Sequence, residues 1–283
     1  MKRLEVVESA DGRKYLWKLE DGNTIESVYF RSIYASRQAC ISTQIGCNVG
    51  CSFCETGKQR SVRNLDADEI VDQVRETIAE QGMDGPLDTV SFAGMGEPLY
   101  NFDNMALACK IMKSESLTKQ TVCFTSGVVP RIPMVAQTEV DLLFVSLHGT
   151  TNEARAKLIP SARRYTIEAI LESCHEYYKL STKKVWINYL LLQGINDSEG
   201  DMERVCDLLN PAEFAVRICR WNKISDRSFI SSENGELFLS KLRSRNFTAN
   251  LEAPYQEARA VGGGCGQLRS RKFLLDESQI SGT

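Results

Sequence analysis

From Asp66 to Leu251 the chain alternates short β-branched and aromatic runs with stretches whose apolar residues recur every three or four positions. No other feature constrains the fold as much, because strands joined through helices pair in parallel and leave those helices on the sheet faces. The spacing predicts strands at 89–92, 121–124, 142–147, 185–190, 214–218 and 248–251, with 41–45 as a further strand ahead of them. Helices are expected near 104–113, 167–178, 199–209 and 235–245, with a short one after Pro130. Another opens at Asp66-Ala67-Asp68-Glu69, where acids precede Ile70, Val74 and Ile78 on one face. Six such units fit a partial (β/α)6 barrel better than a closed eight-unit one. The first 35 or so residues read differently. Tyr15, Trp17 and Leu19, then Ile25, Val28 and Phe30, flank a turn at Asp21-Gly22-Asn23, which is a β-hairpin pattern. The chain therefore divides into an N-terminal β extension (1–36), a partial barrel (37–255) and a glycine-rich C-terminal segment (256–283).

Parallel barrels carry their chemistry at the carboxyl ends of the strands. Three segments fall on that rim: the residues after 41–45, Gly94-Met95-Gly96-Glu97-Pro98, and Ser146-Leu147-His148. The first contains Cys47-Asn48-Val49-Gly50-Cys51-Ser52-Phe53-Cys54, a C-x3-C-x2-C spacing. Three thiolates so spaced can hold three irons of a cubane and leave the fourth open, whereas electron-transfer clusters close that position with another Cys. A structural zinc site needs four ligands, usually in cysteine pairs. A disulfide framework suits a short secreted chain, and Met1-Lys2-Arg3-Leu4-Glu5 carries charge at once with no apolar signal core. The spacing favours a cluster and leaves zinc or ordinary buried thiols as alternatives.

No apolar run approaches the roughly 20 residues of a membrane span, so a cytoplasmic protein with no membrane partner is expected. Its ten cysteines would then be mostly reduced. A net charge of −3 is not the footprint of a strongly basic nucleic-acid-binding domain. Local basic clusters do occur at Lys58-Arg60-Arg63, Arg163-Arg164, Lys183-Lys184, Arg243-Arg245 and Arg269-Arg271-Lys272.

The glycines of Gly94-Met95-Gly96-Glu97-Pro98 let backbone approach a ligand, and Glu97 can accept from a ligand's ammonium group. Equally, the segment could be a strand-to-helix turn with an acid at the helix start. Ser126, Ser146, His148 and Asn222 each stand at a strand end, where hydroxyl, imidazole and amide suit a ribose or carboxylate as well as they suit capping. His175, within the 167–178 helix, reads as structural. Cys265 stands in Val261-Gly262-Gly263-Gly264-Cys265-Gly266, a segment flexible enough to swing a thiol toward a site. Cys40, just before the cysteine run, could be core or a partner of Cys265 in a transient disulfide. Cys109, Cys123, Cys174, Cys206 and Cys219 fall in helix or strand patterns and read as core.

Taken together and in order, several motifs resemble the radical S-adenosylmethionine (SAM) adenine methyltransferases of ribosomal RNA, including the chloramphenicol–florfenicol resistance branch. They are C-x3-C-x2-C followed by Glu-Thr-Gly, Gly-Met-Gly-Glu-Pro, Thr-Ser-Gly-Val-Val-Pro, Ser-Leu-His, Trp-Asn and Cys-Gly-Gln-Leu. The match runs from about Glu26 to about Leu268. The resemblance implies a radical SAM partial barrel with a [4Fe-4S] cluster on Cys47, Cys51 and Cys54. SAM would sit on the open iron, with its amino group at Gly96 and Glu97 and with Ser126, Ser146, His148 and Asn222 around it. It implies that Cys265 is methylated first, that the methyl carbon is then added to an adenine ring carbon, that Glu26 removes a proton, and that Cys40 resolves the adduct through a disulfide. RNA as substrate and a flavodoxin or ferredoxin as electron donor follow from the same resemblance. Family members carry a helical RNA-binding domain ahead of the Glu26 region, which these 283 residues do not include. The same two-thiol methylation on a small molecule, nucleotide or peptide, and a noncatalytic iron–sulfur protein, are the alternative functions.

Overall fold

The computed structural model of the chain describes residues 1–32, 36–224, 229–252 and 256–269. Three antiparallel strands come first: β1 (Lys2–Glu8), β2 (Gly12–Lys18) and β3 (Thr24–Arg31). The expected hairpin is β2–β3, closed between Lys18 and Thr24; β1 adds an outer strand that its charged sequence, Lys-Arg-Leu-Glu, did not announce. β4 (Arg37–Ile41) pairs antiparallel with β3 on one edge and parallel with β7 (Leu87–Phe92) on the other. It is the joint between the two sheet styles.

The strand expected at 41–45 is therefore a correction. The long strand ends at Ile41, and only Gln44–Ile45 continue, as β5, paired with β6 (Arg63–Asn64) in a separate two-stranded ribbon. The break has a cause. Gln73, fully buried on helix α1 (Ala67–Glu80), accepts from the Ser42 amide and donates to the Ser42 carbonyl, at 2.8 and 2.9 Å, replacing ladder bonds. α1 begins as its acids suggest: Asp66 and Glu69 form a reciprocal capping box, and Ile70, Val71 and Val74 are buried.

After β7 the alternation continues through α2 (Phe102–Ser114), β8 (Thr118–Thr125), β9 (Leu142–Ser146), α3 (Asn152–Leu158), α4 (Ile167–Ser181) and β10 (Val185–Leu190). It then runs through α5 (Glu199–Leu208), β11 (Phe214–Cys219), α6 (Gly235–Ser244), β12 (Thr248–Leu251) and α7 (Gln256–Ala260). The short helix expected after Pro130 is two 3-10 turns, Val129–Arg131 and Pro133–Gln137. Helix α3 was not expected; Thr151 caps it by accepting from the Ala154 amide.

One sheet of ten strands results, in the order β1-β2-β3-β4-β7-β8-β9-β10-β11-β12, and every pair from β4 onward is parallel. Among the described residues β12 does not return to pair with β4, so the parallel part is an open, partial barrel. One large apolar core joins Val90, Val145, Ile187 and Val216 of the strands to Val74, Met105, Ile170, Val205 and Phe238 of the helices. No helix among the described residues is long and apolar enough to cross a membrane. Residues 270–283, and with them Arg271, Lys272 and half of the expected C-terminal segment, lie outside the described residues.

Candidate active site at the strand carboxyl ends

A cavity of about 170 Å³ opens at the carboxyl ends of the parallel strands. Cys47, Cys51, Cys54, Gly96, Glu97, Ser126, Ser146, His148, Asn222 and Cys265 all line it, so ten of the twelve residues singled out in the sequence converge on one space. A second cavity of about 50 Å³ adjoins it, and Cys265 and Cys40 both line this one. Asn222 and Arg217 belong to both. Glu26 lines neither. It is buried on β3, with Lys14 Nζ 3.4 Å from its carboxylate and the Arg269 amide donating to it at 2.8 Å.

Local structure sets each group. The cysteine loop is folded by short backbone bonds: Cys47 N–H donates to the Gln59 carbonyl and Cys54 N–H to the Cys51 carbonyl. Gly96 follows β7 at φ +101°, a conformation that a side chain resists; a Cβ there would stand 2.7 Å from Gln44 Cβ. That tight turn lets the Glu97 amide reach Gln44 Oε1 at 2.8 Å. Glu97 is buried and accepts from the Thr125 hydroxyl (2.7 Å), the Ser126 amide (2.6 Å) and the Leu99 amide (3.0 Å). Burial raises its pKa above the usual carboxylate value against the pull of those hydrogen bonds.

His148 sits at φ +56°, and its Nδ1 accepts from the Leu190 amide at 3.0 Å. The ring proton is thereby assigned to Nε2. Burial, reinforced by Arg155, pushes the imidazole down to about 3, so it is neutral at physiological pH. Asn222 donates to the Cys265 carbonyl at 3.0 Å, while its Oδ1 is buried without a partner among the described residues. A buried acceptor facing a cavity costs free energy until a ligand donates to it.

The thiol-bearing segment is stitched to the cysteine loop. The Glu55 amide donates to the Gly266 carbonyl at 2.7 Å, and the Thr56 hydroxyl to the Leu268 carbonyl at 2.6 Å. Trp221 Nε1 braces the same loop at the Phe53 carbonyl, 3.2 Å away. Cys265 is exposed as a residue, yet its place in the cleft pushes the thiol up to about 11. Burial pushes Cys40 and Cys47 up to about 12 and raises Cys51 and Cys54 as well. All ten cysteines are free thiols.

Several residues of this region escaped the sequence reading. Arg155, buried on α3, donates to the Ser126 and Ser146 carbonyls and so ties the ends of β8 and β9 together. Nothing in Glu-Ala-Arg-Ala-Lys marks its third residue as buried. Cys219, read as core, is buried but also lines the larger cavity and lies 2.7 Å from Asn188 Oδ1. His175 bonds Glu213 at 2.7 Å, away from the cavity.

The donor set fits an iron–sulfur cluster better than a single metal ion. A structural zinc site takes four protein ligands, whereas the cavity offers three thiols from one loop, Cys47, Cys51 and Cys54. A cubane takes one thiolate per iron, so three leave one iron for a ligand. The orphaned Asn222 acceptor and the Glu97 carboxylate beside those thiols suit a ligand that carries hydroxyl and ammonium donors.

Comparison with known proteins agrees with this chemistry. The family model described as the radical SAM superfamily matches residues 41–208. The chain is 38% identical over 280 residues to the dual-specificity RNA methyltransferase RlmN of Paracoccus denitrificans (strain Pd 1222), covering 93% of this chain and 71% of that one. It is 36% identical to a probable RlmN of Pseudothermotoga lettingae, over 92% of this chain and 76% of the relative. Among solved structures it resembles a radical SAM methyltransferase from Sphaerobacter thermophilus, with a TM-score of 0.86 and 30% identity over 95% of this chain and 81% of that one. The SAM-bound SuiB of Streptococcus suis shares the fold, at TM-score 0.56, 13% identity and coverage of 76% of this chain and 50% of that one.

Proposed function

We propose, for a chain that belongs to the radical SAM superfamily and to its RlmN methyltransferase family, that it methylates an sp2 carbon of adenine in RNA by way of a thioether on Cys265. The observation that carries the reading is the pair of cavities: the three thiols of the cysteine loop line one, Cys40 lines the other, and Cys265 lines both. Cys47, Cys51 and Cys54 would hold the [4Fe-4S] cluster, and Glu97 with Gly96, Ser126, Ser146, His148 and Asn222 would hold SAM. Bound there, these cofactors supply a methyl group and one-electron C–H activation, which an unactivated ring carbon requires.

The chain's own groups do the rest. Cys265 gives up its proton and becomes a methyl thioether. After one hydrogen atom is lost to the one-electron C–H activation that bound SAM would supply, that methyl carbon bonds to the ring carbon and tethers the substrate to Cys265. The tethered ring loses one electron, which the cluster oxidised in activating SAM would take back, and, to Glu26, one proton. Cys40 as thiolate then attacks the Cys265 sulfur. The S–S bond forms, the S–CH2 bond breaks, and the electron pair leaves with carbon, which takes a proton to become the product methyl. Two thiols thus divide one hard substitution into easier steps.

RNA as substrate is supported by the relatives named RNA methyltransferases and by exposed cations. Arg220 lines the larger cavity, and it and Arg60, Arg163, Arg164 and Lys223 are exposed, with no carboxylate among the described residues pairing with them. Such cations attract phosphate even where the net charge is −3. A flavodoxin or ferredoxin is the proposed electron donor. Cys40→Ala tests the mechanism: with RNA, SAM and reductant, mass spectrometry should find a substrate adduct on Cys265. Lost turnover with full cluster and no adduct overturns the Cys40 role. Filter binding to ribosomal and transfer RNA tests the substrate, and no retention at low salt overturns it.

A further inference from the structure

Between the two thiols lies a feature the mechanism above leaves unused. Arg217 on β11 forms an ion pair with Glu252, just past β12, and both line the cavity that holds Cys40 and Cys265. Their side chains are 12% and 4% exposed. The pair is rigidly framed. The Glu252 amide donates to the Ile218 carbonyl at 2.8 Å. The guanidinium lies over the rings of Phe124 and Phe144, 5.5 and 5.6 Å from their centroids. Those rings stack at 4.5 Å, and Phe144 stacks on Trp186 at 5.5 Å, so an aromatic column fixes the plane of the guanidinium.

A buried ion pair is a poor way to stabilise a barrel. Its desolvation offsets much of its attraction, and apolar residues of similar volume often serve as well. Its position suggests a use. A ring carbon bonded through one methylene to Cys265, and released by Cys40, has to lie between those sulfurs. The charged side chains walling that space then face the edge of the same ring. An arginine alone presents two donors and favours guanine, whose O6 and N7 both accept. A carboxylate abreast of it changes the pattern to donor plus acceptor. Adenine presents the complement, an amine donor at C6 beside a ring nitrogen that accepts.

We propose that Arg217 and Glu252 read the base to be methylated, Glu252 accepting from the C6 amine and Arg217 donating to the neighbouring ring nitrogen. The inference rests on the reading of this site as a nucleobase methyltransferase. It assigns base choice to the barrel floor, independently of how the RNA backbone is held at the rim. A base without the amine would leave the Glu252 carboxylate buried short of a donor, which is the costly kind of mismatch.

The test compares RNA oligonucleotides, and the free nucleoside monophosphates, that carry adenine, purine (adenine without its amine) or guanine as the target. The readout is the ratio of kcat/KM values within each protein, for the wild type, Glu252→Gln and Arg217→Met. A merely structural loss lowers every substrate together and leaves the ratio alone. The wild type should favour adenine over purine by about 100-fold or more. That ratio should fall by about tenfold or more in Glu252→Gln, whose amide can also donate to a guanine O6. Equal wild-type turnover of adenine and purine overturns the inference and leaves the methyltransferase reading intact, as does a wild-type preference that neither variant alters. If no nucleobase substrate is methylated while Cys265 still acquires its methyl group, the substrate reading falls and takes this inference with it. A variant that fails to fold leaves the wild-type ratio and the other variant to decide.

Discussion

The two ends of the parallel strands differ in how they treat charge. At the amino ends, ions pair with water still at hand. Asp88 on β7, half-buried, takes Lys119 at 2.8 Å and Arg37 at 3.8 Å, and Asp141 before β9 takes Lys113 at 2.7 Å. At the carboxyl ends, Glu97, His148, Asn222 and Arg155 are buried, and Asn222 Oδ1 and Arg155 Nε have no partner among the described residues. Exposed pairs contribute little and relax when one member goes. Buried polar groups cannot relax, and each missing partner has its full cost. One end thus tolerates the loss of a partner, while at the other each loss has its full cost.

Substitutions can break or sharpen that contrast. The largest effect is expected at the cysteine loop. Cys51→Ser should abolish 5′-deoxyadenosine formation and sharply lower bound iron after anaerobic reconstitution; retention of both would remove the basis for the cluster. Next is Arg155→Met, which strips the donors from the Ser126 and Ser146 carbonyls. It should cost about 2–4 kcal/mol in a denaturant titration, with Arg155→Lys recovering part. Gly96→Ala forces a Cβ to within 2.7 Å of Gln44 at φ +101° and should cost about 1–3 kcal/mol, with weaker SAM binding because Glu97 follows directly.

The smallest effect belongs to the amino end. Asp88→Asn should change stability by about 0.5 kcal/mol or less at neutral pH. Its sign with pH is fixed. Bonding to Lys119 lowers the Asp88 pKa in the folded protein. Its contribution is therefore present above the unfolded carboxylate pKa and is lost as pH falls through the lowered folded value. The wild type and Asp88→Asn should converge in acid-range melts. A cost at the amino end as large as that of Arg155→Met would erase the contrast.

Much of this was legible in the chain. Alternating periodicity located the parallel strands, because strands buried on both faces read as apolar runs. The rim residues followed from strand ends, and ten of them line one cavity. What escaped depends on contacts distant in sequence. The break after Ile41 is imposed by Gln73, 31 residues from Ser42, and no local propensity encodes it. The burial of Arg155 and the pairing of Arg217 with Glu252, 35 residues apart, arise only when separate strands and helices meet. Glu26 was singled out through resemblance alone and lines neither cavity, because its buried place on β3 lies outside both.

The two bonds that fasten the Gly266 and Leu268 carbonyls to Glu55 and Thr56 have a consequence for how the two loops move. Because these anchors immediately follow Cys54, a displacement of the cysteine loop is passed directly to the segment that carries Cys265, and neither thiol-bearing loop shifts alone.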